Sequence, residues 1–421
     1  MSTRPLALLL LLFLFLASGC ATTALPACPR DGGPRWRLIE SEHFEVYTDA
    51  ASARAADLAA DLEFTRAALA QLLAPGWVGP LGRIPVLLLS GKGHFANFFP
   101  VGIEGAFTEV LMQPIVYMSG TSSLSRQTLI KHELTHFLVD DYVRFEAMPM
   151  WVVEGLAAYF ETLEVDRQSG RVTVGKSVDD RVIPALATFA PQRLGRELAD
   201  WQLAMLRGDI YGPSWVKVSY LINVRPTEFA TYLKRLHEGM PHEAAWATAF
   251  PTLSEAGLDQ QMPAFIAHGK SQVTTVRFTF PPTTSVERAV DDATVHGWRA
   301  ILYAQRNRTF KKQQDADSPE RARAEIAEAQ RQDPGSVLAL GALLLLDRER
   351  DITVELARLA TTAHPDAWFA WYALALAQKQ GGDEAASWGS MKEALRRAAL
   401  NPSVRLQEKL QNRTRRRGER E

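Results

Sequence analysis

The chain has 421 residues, 47% of them hydrophobic, and its 47 basic and 48 acidic side chains give a formal net charge of −1. This length is enough for two or three domains of ordinary globular composition. A charge balance this close to zero provides no overall field that would attract nucleic acid, so nucleic acid is not expected among the partners.

The first twenty residues have the features of an export signal. Arg4 is followed by twelve apolar residues, a run that is too short to cross a bilayer. The run ends in Ala-Ser-Gly-Cys20, which resembles the lipobox of bacterial lipoproteins and predicts a lipid anchor on Cys20. The predicted location is then the cell envelope, on the periplasmic face of the outer membrane. The alternative is ordinary signal cleavage near Ala17 or Gly19. With Cys20 modified, only Cys28 remains as a thiol, so a structural disulfide is not expected.

Residues 21–33 are rich in proline and glycine, which predicts a tether. The next segment, 34–270, is predicted to be a compact domain. Its early elements, in chain order, are strands within 36–48, a helix at 51–73, a short buried strand at 84–89, and strands at 102–110 and 114–118. Strands and a helix that precede further helices indicate the α+β class.

Residues 129–136, Leu-Ile-Lys-His-Glu-Leu-Thr-His, contain the motif H-E-x-x-H. On a helix, His132 and His136 lie one turn apart, so both imidazoles point towards one metal ion. Glu133 is offset by about 100° and can hold a water bound to that ion. The alternative is an exposed helix with two incidental histidines. Apolar residues surround nearly the whole of this helix, which predicts burial, and buried histidines are costly without a partner or a metal.

A catalytic zinc site takes three protein ligands and leaves one position for water. The extended motif with a third histidine is absent, because Val139 and Tyr142 stand where glycine and histidine are required. Glu154 lies 18 residues after His136. Pro149 favours the start of a new helix near that position, and Glu154 would lie in the first turns of that helix. Glu154 is therefore the leading candidate for the third ligand.

Together these segments resemble the gluzincin zinc metallopeptidases, in which a glutamate on a second helix completes a site begun by two histidines. Residues 151–159, Trp-Val-Val-Glu-Gly-Leu-Ala-Ala-Tyr, are similar to the third-ligand helix of the aminopeptidase-type members and of the bacterial peptidase-MA-like group. The resemblance covers residues 34–270 and is sharpest at 129–161. It implies a gluzincin-type zinc peptidase domain, with zinc held by the two motif histidines and Glu154.

The resemblance also implies two further parts of a peptidase site. In aminopeptidase-type members a tyrosine downstream of the third ligand stabilises the oxyanion, and Tyr211 lies 57 residues after Glu154. The alternative for Tyr211 is a buried structural aromatic, with His237 and His242 as fallback oxyanion donors. In related enzymes an edge strand holds the substrate backbone, and residues 105–107, Gly-Ala-Phe, are a candidate for that edge or for an ordinary turn.

Residues 271–290 are predicted to be an extended linker that begins with a strand and continues through prolines, after which the composition becomes almost wholly helical. In 291–410, Pro334, Pro365 and Pro402 recur after helical runs at separations of 31 and 37 residues. This period resembles tetratricopeptide repeats and predicts an all-α helical repeat domain that folds alone and binds a protein partner. The alternative is a plain helical bundle.

Residues 411–421 form a basic tail, which is expected to be a solvated end or to touch anionic lipid.

These observations predict an exported zinc-dependent metallopeptidase that hydrolyses peptide bonds in a peptide or protein substrate. Glu133 acts as the general base and Tyr211 as the oxyanion donor. One alternative is a zinc hydrolase acting on a non-peptide amide, for example in the cell wall. Another is a scaffold lipoprotein that works through its repeats and has a non-catalytic zinc site. Structural zinc sites normally have four protein ligands, which favours the enzyme.

Overall fold

The computed structural model of the chain describes residues 28, 30, 32–73, 83–90, 98–99, 105–110, 113–119, 125–143, 147–177, 179–189, 210–268, 273–280, 282–309, 317–346 and 351–398. The predicted signal segment with its lipobox Cys20 and the predicted basic tail 411–421 lie outside these residues. Among the described helices, none combines the length and the apolar character needed to cross a membrane.

The described strands form two sheets. In chain order they are β1 (Arg37–Glu40), β2 (Phe44–Thr48), β3 (Ile84–Leu89), β4 (Gly105–Val110), β5 (Gln113–Ser119), β6 (Glu164–Asp166), β7 (Arg171–Val174), β8 (Thr274–Arg277) and β9 (Val286–Ala289). The larger sheet has the order β4-β5-β3-β2-β1-β9, and the smaller one has the order β6-β7-β8. β3 is parallel to β2 and β5, and the other pairs are antiparallel.

The described helices are numbered in chain order. They are α1 (Ser52–Leu73), α2 (Ser125–Tyr142), α3 (Met150–Phe160), α4 (Asp179–Phe189), α5 (Tyr211–Val224), α6 (Pro226–His237), α7 (His242–Ala249), α8 (Glu255–His268), α9 (Asp292–Thr309), α10 (Ser318–Gln332), α11 (Val337–Leu345), α12 (Val354–Ala363), α13 (Trp368–Gln380) and α14 (Glu384–Ala398). The fold is thus mixed α+β with a helical C-terminal region.

The central strand β3 explains why helices lie on both sides of this sheet. All six of its residues are buried, and side chains alternate between the two faces of a strand. Val86 and Leu88 belong to the hydrophobic cluster formed with α1, α2 and α3. Leu87 and Leu89 belong to a second cluster, formed with α9 and the helices after it. The uninterrupted apolar run Ile-Pro-Val-Leu-Leu-Leu is typical of a strand covered on both faces.

The C-terminal helices therefore share a core with the sheet, which differs from the prediction of a unit that folds alone. The ring of Trp298 on α9 lies 5.2 Å from that of Tyr47 on β2, and the ring of Tyr303 lies 4.6 Å from that of Phe98. The second face of a sheet with parallel strands must be covered, and these helices cover it. Their assignment as tetratricopeptide-like repeats stays a prediction.

The predicted linker 271–290 is also part of the fold. β8 pairs with β7, and β9 pairs with β1, so this segment adds one strand to each sheet. The predicted tether is partly packed as well. Cys28 is fully buried, and its Sγ lies 3.7 Å from His296 Nε2 on α9. Backbone pairing and burial of this kind depend on residues far away in the chain, which explains why composition alone indicated a free segment.

Deletion of residues 291–421 is expected to abolish folding of the remainder. It exposes Leu87, Leu89, Ile115 and Tyr117, each buried in the second cluster. Exposing a large apolar side chain costs about 1.5–3 kcal/mol, and four of them approach the whole stability of a typical domain. The measurement is soluble yield and circular dichroism of the 34–290 fragment. Deletion of 411–421 alone is the control and should leave both unchanged. A soluble, folded 34–290 fragment would contradict the shared core.

Candidate metal centre

Helix α2 presents both motif histidines on its buried side. His132 and His136 are 8% and 9% exposed, and the apolar residues Ile130, Leu134 and Leu138 are buried around them. The exposed-helix alternative is thereby ruled out. Helix α3 begins at Met150, directly after Pro149, as the proline predicted.

The three predicted ligands converge on one point. His132 Nε2 and His136 Nε2 are 3.1 Å apart, and Glu154 Oε2 lies 3.6 Å from the first and 3.5 Å from the second. Donor atoms about 2.0–2.1 Å from a tetrahedral ion are separated by about 3.3 Å, close to these three distances. His132, His136 and Glu154 form a group that can hold a metal ion.

The environment of Glu154 also fits a cation. Its Oε2 is buried and accepts no hydrogen bond of good geometry from the described residues. A buried carboxylate oxygen without a donor is costly, and a bound cation removes that cost. Two imidazole nitrogens and one carboxylate oxygen are donors that suit zinc. The residues present therefore fit a metal ion of this kind.

Glu161 supports the site and was not recognised from the sequence. Its Oε2 lies 3.1 Å from His132 Nδ1, and the residue is 3% exposed. It follows the last residue of α3 and stands seven residues after Glu154, which is about two helical turns and the same side of the helix. When Nδ1–H of His132 donates to Glu161, Nε2 carries no proton, and its lone pair is free to bind a metal ion. The seven-residue spacing was the available signal.

The carboxylates around the imidazoles of His132 and His136 favour a positive charge at this site, carried by a proton or by a metal ion. Burial opposes the charged form of His132, but the neighbouring carboxylates of Glu154 and Glu161 outweigh it and raise the pKa of His132 to about 9. Burial likewise opposes the charged form of Glu154, yet its contacts with the two histidines lower the pKa of Glu154 to about 2. The charge of Glu133 acts in the same direction on His132. The site is thus a concentration of carboxylates around imidazoles, which attracts a cation.

The structure brings Tyr211 to this site. Tyr211 is the first residue of α5, and its ring centroid lies 5.9 Å from that of His132, edge to face. It is 39% exposed, whereas Trp215 and Tyr220 on the same helix are buried. Tyr211 is therefore not the buried structural aromatic of the alternative interpretation. Its role as an oxyanion donor remains a prediction.

Gly155 brings α5 close to α3. A Cβ atom at this position would lie 2.5 Å from Ser214 O and 2.5 Å from Val218 Cγ2, a separation that real Cβ atoms do not adopt. Only glycine permits this contact, because it has no side chain. Ser214 is three residues after Tyr211 on the same helix. The close approach at Gly155 therefore holds the helix that carries Tyr211 beside the helix that carries Glu154.

The two fallback histidines are engaged elsewhere. His237 Nδ1 lies 2.6 Å from the carbonyl oxygen of Tyr142. His242 lies between Tyr232 and Glu255, with Nδ1 2.9 Å from the hydroxyl and Nε2 2.9 Å from Oε1. The structure does not bring either histidine into the metal group.

A family model matches part of the chain. Residues 127–243 are similar to a family described as a protein of unknown function, DUF1570. The matched segment contains every candidate metal ligand and catalytic residue, from His132 to Tyr211, together with Glu161. No curated protein and no solved structure matches the chain significantly. The similarity thus coincides with the metal centre and carries no assignment of activity.

Replacing Glu161 by glutamine is expected to weaken metal binding about tenfold, because the neutral amide orients His132 less strongly than a carboxylate does. The measurement is zinc affinity by competition with a chromophoric chelator. Glu164→Gln is the matched control, since Glu164 is exposed on β6 and its Oε1 lies 2.5 Å from Lys176 Nζ. Equal affinities for wild type and Glu161→Gln would show that Glu161 does not support the site.

Proposed function

We propose that the protein is an exported zinc-dependent metallopeptidase of the gluzincin type. The observation that carries the proposal is the triangle of donor atoms formed by His132, His136 and Glu154, with Glu133 and Tyr211 beside it. Among the described residues, no fourth histidine, cysteine or carboxylate joins this group. Three protein ligands are typical of a catalytic zinc site, whereas structural sites usually have four.

A zinc ion held by these donors would supply a Lewis acid and lower the pKa of a bound water to about 7. Glu133 accepts a proton from the attacking water and then delivers it to the leaving amine. It stands next to His132 in the chain and is half-buried, so its carboxylate is only partly shielded from water. The phenol of Tyr211 donates a hydrogen bond to the oxyanion of the substrate.

Strand β4 is the proposed site for the substrate backbone. It forms one edge of the larger sheet, where its outer side has no neighbouring strand among the described residues. It also packs against α2, the helix with the two motif histidines. An extended peptide that adds to this edge by backbone hydrogen bonds would run past the metal centre.

The location and the partners belong to the same proposal. Cys20 carries the lipid that holds the protein at the envelope, and the substrate is a peptide or protein outside the cytoplasm. Helices α10–α14 supply a surface for a protein partner, in addition to contributing to the core that the C-terminal region shares with the sheet. The support for the anchor is the apolar run that ends in Ala-Ser-Gly-Cys20.

The first test separates the ligand role from the base role. Glu154→Ala should lose most bound zinc, and Glu133→Gln should retain zinc but fail to hydrolyse a mixed peptide library. The reason is that Glu154 is a ligand and Glu133 only moves protons. Zinc content and peptide cleavage are measured on the same samples. Full zinc binding by Glu154→Ala would remove it from the ligand set. Cleavage of cell-wall amides but not of peptides would indicate a non-peptide amide hydrolase.

Replacing Tyr211 by phenylalanine should lower kcat about 10²- to 10³-fold and leave KM and zinc content nearly unchanged. The substitution keeps the ring and removes only the hydroxyl, which acts on the transition state more than on the bound substrate. Tyr220→Phe is the matched control, because it makes the same change at a buried position of the same helix. A kcat for Tyr211→Phe within a few-fold of wild type would make Tyr211 a structural residue.

A further inference from the structure

Helices α2 and α3, which carry the proposed metal ligands, are held by contacts with other helices at the end of α2 and at the start of α3. Helix α2 ends at Tyr142, and helix α3 begins at Met150. At the end of α2, His237 of α6 stacks on the ring of Tyr142, with centroids 4.2 Å apart and planes 9° from parallel. Nδ1 of His237 is 2.6 Å from the carbonyl oxygen of Tyr142. This imidazole therefore donates to one of the last carbonyls of the metal helix, which lacks a partner within the helix.

The start of α3 is held by a different set of contacts. Nε1–H of Trp151 donates to Glu255 Oε2 on α8 over 2.9 Å. The ammonium of Lys217, on α5, lies 5.1 Å from the centre of the Trp151 ring, and the ring of Trp246 packs edge-on at 5.9 Å. Trp151 precedes the ligand Glu154 by three residues on the same helix. Contacts that hold the Trp151 ring in place therefore also hold the first turn of α3, which leads to Glu154.

The two attachments are linked by side chains of α6, α7 and α8. Tyr232 lies on α6, the helix of His237, and its hydroxyl is 2.9 Å from His242 Nδ1. His242 Nε2 is 2.9 Å from Glu255 Oε1, whose other oxygen accepts from Trp151. A neutral His242 satisfies both bonds, because Nδ1 accepts from Tyr232 and Nε2–H donates to Glu255. Such a fully satisfied network resists deformation.

We propose that helices α6–α8 act as a brace that sets the angle between α2 and α3, with His237 and Glu255 as its positioning residues. Two metal ligands lie on α2 and one on α3, so this angle determines how closely Glu154 approaches the two imidazoles. A metal centre keeps its affinity only when its donors are held near the productive geometry before the ion arrives. The inference rests on the proposed metal centre and adds two residues that touch neither the metal nor its ligands.

Metal affinity of the full chain provides the test. Trp151→Phe removes the indole N–H together with the five-membered ring that carries it, and Glu255→Ala removes the acceptor of that N–H without changing the ring of Trp151. We expect each single variant to bind zinc about fivefold to tenfold less tightly than wild type. The double variant should lose no more zinc affinity than the more affected of the two single variants, because both changes break the same hydrogen bond. Cobalt(II) in place of zinc should show an altered visible absorption spectrum in the same variants, which a purely structural change outside the site would not produce.

A matched control separates the brace from general packing. Trp246→Phe makes the same chemical change in the same aromatic cluster, but its Nε1–H donates to the carbonyl oxygen of Leu253. It should bind zinc as wild type does. A second limb of the test uses the exposed His237: His237→Ala should weaken binding, and His237→Asn, which retains a donor, should restore it. This limb remains decisive if a variant of Trp151 fails to fold.

The outcomes distinguish the brace from the metal centre itself. If wild type binds zinc tightly and every brace variant binds within twofold of it, the brace is refuted while the metal centre stands. Equal loss of affinity in Trp246→Phe and Trp151→Phe would also refute it, because packing would then explain both. If wild type binds no zinc, the proposed metal centre is refuted, and the brace proposal, which rests on it, is refuted with it.

Discussion

Two imidazoles and a carboxylate that meet within a few ångströms at a nearly buried position impose the main constraint on this molecule. Without a positive charge between them, the buried oxygen of Glu154 has no adequate donor, and against the effect of burial the carboxylates of Glu154 and Glu161 raise the pKa of His132. The surrounding elements act to hold these groups together. Helix α2 supplies two ligands one turn apart, and α3 supplies the third ligand and, through Glu161, the support of the first.

The rest of the fold holds those two helices in place. Gly155 allows α5 to approach α3 without a gap, which also brings Tyr211 to the edge of the site. The larger sheet packs against α2 through β5 and its edge strand β4. Because β3 is apolar on both faces, the sheet requires helices on both, and the C-terminal region provides the second layer. A region that looked separable by composition is therefore part of the scaffold of the site.

The sequence indicated the parts of the site that depend on local spacing. His132 and His136 follow from the helical period, Glu154 from its spacing after His136 and from resemblance to known enzymes, and Tyr211 from that resemblance alone. The structure places all four together. Glu161 was missed, because its partner His132 lies 29 residues earlier in the chain and the seven-residue spacing from Glu154 does not by itself identify that partner. The pairing of residues 271–290 with both sheets was missed for a similar reason, since the partners of a short extended segment cannot be inferred from its own sequence.

The similarity to a family of unknown function falls on the segment with the ligands. The identity and place of the bound ion are therefore the central question, and a crystal structure with anomalous diffraction at the zinc absorption edge answers it most directly. The account predicts one strong anomalous peak at bonding distance from His132 Nε2, His136 Nε2 and a carboxylate oxygen of Glu154. A peak elsewhere, or an ion bound without Glu154, would contradict it.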